Sequence, residues 1–341
     1  MWYAPLVSAR TPLDLIFVES GREKRLSDLW SGSLDTSDTA FRALLGDLSA
    51  AHGRGAGQLR FPPFTEPEIS EPGAWNLRGD VRFASEFPDA WDTLSPDSPN
   101  FALKAFERRL YLAHLGAELE ALPRGASVLD VGGGIGRFAC EWLDRGHSVT
   151  LVDANAQALG LALGHLARIG GQFRLLHLAA ENLFPLADES FFAVSAMEVF
   201  CYLSDPERGF REAARVLRPG GVLFASVESP VGALPLGERH SREAIAAIQG
   251  RTEQAIENDT WVQYFTPERL RDVCRTVGLV AERIVGTHFL TDGPMHHLVE
   301  VERLGDPAYE AALIELERHL AVSPRWGNAG RAWLLVARKP G

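Results

Sequence analysis

Cysteine is scarce in this chain. Cys140, Cys201 and Cys274 are isolated and odd in number among 341 residues, which excludes a disulfide framework and leaves no zinc-ligand spacing. Long apolar runs are also missing, and no stretch approaches the roughly 20 residues of a membrane span. Positive charge is in deficit: 34 Lys and Arg stand against 45 Asp and Glu, a formal net charge of −11 at pH 7. A nucleic-acid binder usually carries a basic face, and here clusters such as Arg22-Glu23-Lys24-Arg25 are interrupted by acids. Neither nucleic acid nor an anionic membrane is therefore the expected partner. The opening residues Met1-Trp2-Tyr3-Ala4-Pro5 form neither a basic leader nor an apolar core, so no secretion signal is expected and the cytoplasm is the expected compartment.

What is present is globular. Hydrophobic residues make up 46% and charged residues 23%, enough to build one large domain and a smaller one at this length. One stretch organises the rest. Val128, Leu129 and Val131 form the short apolar run of a buried parallel strand, and Gly132, Gly134 and Gly136 follow at alternate positions. Phe138, Ala139, Trp142 and Leu143 then keep helical spacing until Arg145-Gly146. A glycine turn between strand and helix lets the backbone approach a ligand closely, because no Cβ intervenes. The next strand, Ser148 to Val152, runs into Asp153, whose carboxylate can accept both hydroxyls of a ribose.

Two nucleotide-like ligands use such a turn. Gly134-Ile135-Gly136-Arg137-Phe138-Ala139 fits the dinucleotide fingerprint G-x-G-x-x-G/A, a weak signal alone. The pattern D-x-G-x-G-x-G is met at every position by Asp130, Gly132, Gly134 and Gly136. With Asp153 closing the second strand, this resembles the first two motifs of the class I S-adenosylmethionine (SAM)-dependent methyltransferases. Downstream, Leu183-Phe184-Pro185-Leu186-Ala187-Asp188-Glu189-Ser190-Phe191-Phe192 is similar to the family's "LPFPDxSFD" segment, and Arg215-Val216-Leu217-Arg218-Pro219-Gly220-Gly221 to its "RVLKPGG" turn. The resemblance spans about residues 126 to 228. It implies a three-layer Rossmann-like α/β fold with seven strands, the last antiparallel and entering between the fifth and sixth. It departs from the family where an aspartate usually precedes the adenine loop, since Ala179 and Ala180 stand there, and where Phe192 replaces a usual Asp.

The resemblance also implies the cofactor, SAM. Asp130, Gly132, Gly134 and Gly136 would hold its methionine portion, mostly through backbone groups, and Asp153 its ribose. Glu181 or Asn182 would read the adenine edge, with Ala154, Ala180 and Met197 beside them. A rival reading is an NAD-type oxidoreductase, which needs a second nucleotide-binding half. A third is a regulatory protein that binds SAM without transferring methyl.

Around this core, Asn100 is a candidate cap for a helix from Phe101 to about Ala121 whose leucines at 112, 115, 119 and 122 share one side. Tyr111 and His114 lie on its inward side as candidates to touch the ligand. Asn155 caps a helix with Leu159, Leu163, Leu166 and Ile169 on one stripe. Ser204-Asp205-Pro206-Glu207 and Thr266-Pro267-Glu268 open two more helices, and Asp306-Pro307 another. Leu279 to Val285 and Ala332 to Arg338 are the closing strands.

Residues 1–100 lack a repeating α/β pattern. Leu13 to Val18 predicts a strand and Thr39 to Ala51 a helix, followed by prolines interleaved with Phe64, Trp75, Phe83, Phe87 and Trp91. The segment reads as a cap or lid over a substrate pocket, or equally as a structural or dimerisation extension that would make a homodimer. Residues 101–341 form the methyltransferase domain, with insertions at 229–265 and 287–330 on the ligand face.

Methyl transfer needs alignment above all, and a base only when the acceptor keeps a proton. Glu198, just past the fourth strand, is the leading catalytic candidate, with a loop hydrogen bond as its structural alternative. Tyr202 walls the methionine end or packs, and His240 in the first insertion is a candidate base. Tyr264 beside Trp261 and Phe265 lines an aromatic acceptor site or belongs to the core. His288, His296 and His297 with Glu300 share no ligand spacing, so no metal is expected. The acceptor reads as a small molecule, methylated on oxygen, nitrogen or carbon.

Overall fold

The computed structural model describes residues 88–184, 186–231, 260–293 and 295–341, the strand segments 16–19, 22–25, 57–60 and 254–257, and positions 245, 246 and 249. The helix expected over Thr39 to Ala51, the aromatics from Phe64 to Phe87, and His240 lie outside the described residues.

Near the N-terminus, β1 (Ile16–Glu19), β2 (Arg22–Arg25) and β3 (Gly57–Arg60) pair antiparallel in the order β2-β1-β3. β1 overlaps the strand expected over Leu13 to Val18. A short helix, α1 (Pro88–Trp91), precedes the long α2 (Phe101–Glu120). The central unit then alternates strand and helix: β4 (Ser127–Val131), α3 (Arg137–Asp144), β5 (Ser148–Asp153), α4 (Ala156–Ile169), β6 (Phe173–His177), β7 (Phe191–Met197), α5 (Pro206–Val216) and β8 (Leu217–Glu228). A two-stranded ribbon, β9 (Gln254–Glu257) and β10 (Thr260–Gln263), leads into α6 (Pro267–Thr276), β11 (Val280–Thr287), α7 (Pro307–Val322) and β12 (Ala332–Arg338).

Seven of these strands form one sheet in the order β11-β12-β8-β7-β4-β5-β6. β12 runs antiparallel to both neighbours, β8 and β11, and the other pairs are parallel. This is the Rossmann-like topology expected from the motifs. Beyond β8 the sheet continues into an antiparallel strand, not into a second nucleotide-binding half.

Alternation along the strands fills both faces. Val128, Val222, Phe224, Leu334 and Val336 pack under α2, α3 and α4 with Trp142, Leu159, Leu163 and Leu166. Leu129, Val131, Leu223, Ala225, Val227, Leu335 and Ala337 pack on the opposite face with Phe210, Ala213, Leu270 and Val273 of α5 and α6. A third apolar cluster joins Phe106 and Leu110 of α2 to Phe289, Leu290, Leu313 and Leu320, which fastens the 287–330 insertion to the domain.

The helix starts follow local chemistry. Asn155 Oδ1 accepts from Gln157 and Ala158 N–H, Asp205 Oδ1 from Arg208 N–H, and Thr266 Oγ1 from Arg269 N–H. Three expectations differ. Asn100 makes no side-chain cap; its backbone is helical and its Nδ2 donates instead to the Ala90 carbonyl at 3.1 Å, tying α1 to α2. Ile169 ends its stripe 40% exposed, because the last turn of α4 runs past the sheet edge. The strand expected from Val222 begins at Leu217: Leu217 pairs with Phe191 and Val222 with Ala193, so Arg218–Gly221 loop out of register with Gly220 at φ +76°. That loop places the Arg218 guanidinium 3.9 Å from the centre of the Phe192 ring, where the family usually has Asp.

Phe224 is fully buried and stacks on Trp142 at a centroid distance of 5.9 Å. Phe224→Ala should lower unfolding free energy by about 3–5 kcal/mol, and Asp205→Ala, which only loses a cap, by about 1 kcal/mol; urea unfolding followed by circular dichroism measures both.

Candidate active site

The C-terminal ends of the parallel strands lie along one edge of the sheet, and the expected site residues gather there. The first element is the turn after β4. Gly132, Gly134 and Gly136 have φ of +60°, +54° and +92°, a region that costs other L-residues energy. Two of them are also locked by packing: a Cβ would sit 2.6 Å from Val199 Cγ2 at Gly132 and 2.6 Å from Leu166 Cδ1 at Gly136. At Gly134 a Cβ would meet nothing within 4 Å, so there the backbone faces open space. The same turn leads directly into α3.

Asp153 holds this turn in place. Its Oδ2 accepts the Gly134 N–H at 2.7 Å and its Oδ1 the Asn155 N–H at 2.7 Å. The carboxylate is half-buried at the end of β5, next to the turn. Asp130 plays a different part from its neighbours. Its side chain is 2% exposed and lies below the turn, where a Cβ on Gly133 would come 2.7 Å from its Oδ2. Burial pushes this carboxyl up to about 7, against the lowering effect of Ser195 and the Ala139 N–H. Asp130 therefore supports the turn from beneath.

Of the remaining residues expected at the cofactor, Ala154 follows β5, Ala180, Glu181 and Asn182 follow β6, and Met197 ends β7. Ala154 offers its carbonyl to His177 Nε2 at 2.9 Å, and Ala180 and Met197 are nearly buried. Glu181 is raised by burial, opposed by nearby backbone N–H groups that include those of Asp205 and Ser204, so its carboxyl is turned toward the start of α5. Asn182 donates its N–H to the Ala179 carbonyl. Arg215 fixes the segment that follows, donating to the carbonyls of Leu183 and Leu186 and to Asp188. The arginine of the "RVL" turn is thus an anchor for the loop between β6 and β7.

Next to the cradle is a cluster of buried charge. Glu198 follows β7 with a left-handed backbone, φ +60°. Its Oε2 pairs with Arg137 Nη2 at 3.2 Å, and its Oε1 pairs with Arg331 Nη1 at 3.4 Å and accepts from Tyr111 Oη at 3.2 Å. Burial alone would raise Glu198, but the Arg331 and Arg137 guanidinium groups outweigh it and hold the carboxyl well below the usual range. Glu198 stays ionised, which suits an electrostatic anchor and not a proton acceptor. Arg331 also bridges to Glu228 Oε1 at 2.6 Å, and Tyr202 Oη donates to that oxygen at 3.0 Å. Glu107 joins through Lys104 at 2.8 Å and lies 3.7 Å from Arg137. Buried ion pairs contribute little net stability compared with apolar packing.

Tyr202 and Glu198 are therefore brought together through Arg331 and Glu228. Tyr111 joins them. His114 does not: it is buried toward Arg283 and Arg318, which with burial lower it to about 4. Tyr264 and Phe265 are core residues, with the Phe265 ring 6.4 Å from that of Phe210 and tilted 53° to it. His296 and His297 are exposed in a 3-10 turn, whereas His288 is fully buried. Among the described residues no group of three or more His, Cys, Asp and Glu is placed to hold a metal ion. Sequence reasoning missed Glu107, Glu228 and Arg331. No spacing marks them, although an arginine directly before a fully apolar strand such as β12 is a usable signal.

Two outcomes follow from this geometry. Asp153→Ala should fold but bind S-adenosylhomocysteine at least about tenfold more weakly in calorimetry, the equivalent of one lost charge-assisted hydrogen bond. For Asp130, the native state binds a proton that the unfolded chain releases near 3.8, so native stability should fall as pH rises from about 4 to about 7. Asp130→Asn should flatten that slope in pH-dependent urea unfolding.

Comparison with known proteins points to a methyltransferase domain. A family model described as a methyltransferase domain matches residues 129–225, from β4 to β8. The chain is 28% identical over 198 residues to a ubiquinone biosynthesis O-methyltransferase of Caulobacter vibrioides, covering 56% of this chain and 76% of that one. It is 34% identical over 145 residues to the protein of the same name from Xanthomonas axonopodis pv. citri, covering 42% of this chain and 58% of the relative. Among solved structures, a Burkholderia thailandensis 1,6-didemethyltoxoflavin-N1-methyltransferase aligns at a TM-score of 0.46 with 18% identity, over 82% of this chain and 94% of that one. With the glycine turn, Asp153 and the strand order in agreement, residues 129–225 carry a methyltransferase domain on the Rossmann-like fold of the class I S-adenosylmethionine-dependent methyltransferases.

Proposed function

We propose that this enzyme transfers the methyl group of SAM to a hydroxyl oxygen of a small molecule. The observation that carries this reading is the adjacency of an open glycine cradle to a recessed polar cluster at the strand ends. Glu198, Glu228 and Arg331 are each less than a fifth exposed, a recess suited to a small acceptor more than to a macromolecular surface. The net charge of −11 also favours a small molecule over nucleic acid. Oxygen is favoured as the acceptor atom by the relatives named ubiquinone biosynthesis O-methyltransferases.

When bound, SAM supplies a methyl group already activated on a sulfonium. The residues of the chain then bind and align. Gly132, Gly134 and Gly136 present backbone, Asp153 accepts the ribose hydroxyls, and Asn182 with the Ala180–Glu181 backbone faces the adenine edge. Ionised Glu198, clamped between Arg137 and Arg331, sets the electrostatics of the methionine end. Tyr202, tied to Glu228, forms the wall beside it. Good alignment alone accounts for about 7–11 kcal/mol of barrier lowering.

The 287–330 insertion supports acceptor selection, because its Phe289, Leu290, Leu313 and Leu320 pack on α2 beside Tyr111. In this reading residues 1–100 serve as a cap or as a dimerisation extension, and the 229–265 insertion with His240 belongs to the acceptor side. The three scattered cysteines fit a reducing, cytoplasmic setting. No helix among the described residues is long and apolar enough to cross a membrane.

The test is a calorimetric titration with S-adenosylhomocysteine and NADH, followed by incubation with SAM and catechol, benzyl alcohol or benzylamine under mass spectrometry. Binding of S-adenosylhomocysteine and methylation of a hydroxyl probe are expected. Methylation of benzylamine alone would replace the oxygen reading, and NADH binding without S-adenosylhomocysteine binding would overturn the methyltransferase reading.

A further inference from the structure

His288 stands at the ligand edge of the sheet, immediately after β11, and its surroundings are unusual in four ways. Its backbone is left-handed, φ +60°, as is that of Glu198 after β7. Such conformations in non-glycine residues concentrate at functional sites. Its ring is fully buried and lies against Tyr111, with centroids 4.1 Å apart, and the Tyr111 hydroxyl reaches Glu198. Its Nε2 is buried without a hydrogen-bond partner among the described residues. Its Nδ1 is 3.0 Å from Thr287 Oγ1, which lies 3.4 Å from Glu317 Oε1.

The last contact fixes the direction of the chain of hydrogen bonds. Glu317 also accepts the N–H of Phe289 on Oε1 at 3.2 Å and the N–H of Leu290 on Oε2 at 3.4 Å. A carboxyl surrounded by donors acts as acceptor, so the Thr287 hydroxyl donates to Glu317. Its oxygen then accepts from Nδ1–H of His288. The proton of the neutral imidazole is thereby held on Nδ1, and Nε2 carries the lone pair.

We propose that His288 is the general base of the reaction, accepting through Nε2 the proton of an acidic hydroxyl such as a phenol, with Thr287 and Glu317 as positioning residues that select its tautomer. This rests on the hydroxyl-acceptor reading above. In the step, the acceptor oxygen forms its bond to the methyl carbon while the carbon–sulfur bond breaks with its electron pair going to sulfur. The hydroxyl proton moves to Nε2, and the imidazolium later returns it to solvent. A phenol fits better than an alkyl alcohol, because its proton is the more acidic of the two and its transfer to an imidazole is less uphill.

The charged and titratable groups facing the ring come from every packed element. Burial, with Arg331 before β12 and Lys104 and His114 of α2, lowers His288, while Glu198 opposes them; the balance keeps the imidazole neutral at physiological pH. Burial raises Glu317 to about 7, against the N–H groups of Phe289, His288 and Leu290. The ionised form of Glu317 is the one that accepts from Thr287, so the base-competent tautomer should gain population as pH rises through about 7.

The experiment combines histidine 15N NMR with kinetics on the full chain saturated with S-adenosylhomocysteine or SAM. At pH 8, His288 should show the Nδ1–H tautomer, and Thr287→Val or Glu317→Gln should shift it toward a mixture. His288→Asn, which tolerates the left-handed backbone, should keep the S-adenosylhomocysteine affinity and lower kcat for catechol about 10²–10⁴-fold. Glu317→Gln should remove the rise in kcat near pH 7. A proton on Nε2 in the wild type, or unchanged kcat in His288→Asn, overturns the proposal. If catechol is not a substrate of the wild type, the acceptor reading fails by itself, and the tautomer still decides the assignment of His288.

Discussion

The hydrogen bond from the Gly134 N–H to Asp153 Oδ2 joins the two strand ends on which the site depends. β4 and β5 are neighbours in the sheet, with Val131 paired to Val152, so the turn after one strand and the carboxylate ending the next are fixed by the same ladder. The turn must pass through three left-handed positions within five residues, which only glycine does at low cost. The bare backbone that results is what lets a cofactor approach. Asp130 beneath it and Val199 and Leu166 beside it leave the turn no other path. The cradle is therefore set by packing before any ligand binds, which limits the ordering cost of binding.

The second constraint is the charge buried next to that cradle. Lys104, Arg137 and Arg331 are interleaved with Glu107, Glu198, Glu228 and Asp292, drawn from α2, the start of α3, the ends of β7 and β8, and the segments flanking β11 and β12. Such a cluster is expensive to desolvate and is a weak stabiliser of the fold. Its value lies in fixed orientation: Glu198 is held from two sides by guanidinium groups and from a third by Tyr111, so its charge does not move when a ligand arrives. The apolar contacts between α2 and the 287–330 insertion carry His288, Thr287 and Glu317 to the same place.

Much of this was legible in the sequence because it depends on local rules. Glycine at positive φ, Asp and Thr caps followed by proline, and near-continuous apolar runs in β8 and β12 are all encoded within a few residues. The sheet order followed from the motif resemblance and not from the residues alone. The charge cluster was not legible in the same way. Glu198 and Tyr202 stand near a strand end and attracted attention, but Arg331 reaches them from 133 residues away, and nothing local marks it as their partner. His288 was visible only as one of three histidines; its isolation from His296 and His297 is a product of the turn that follows β11. Asn100 failed as a cap because a more distant acceptor, the Ala90 carbonyl, competed for its side chain.

The most direct test of the central claim is a crystal structure of the chain with S-adenosylhomocysteine. The account predicts the amino-acid end against Gly132–Gly134, the ribose hydroxyls on Asp153, and the sulfur directed toward the side of Glu198. A nucleoside bound elsewhere, or a glycine turn closed over by protein with Asp153 facing away, would contradict it.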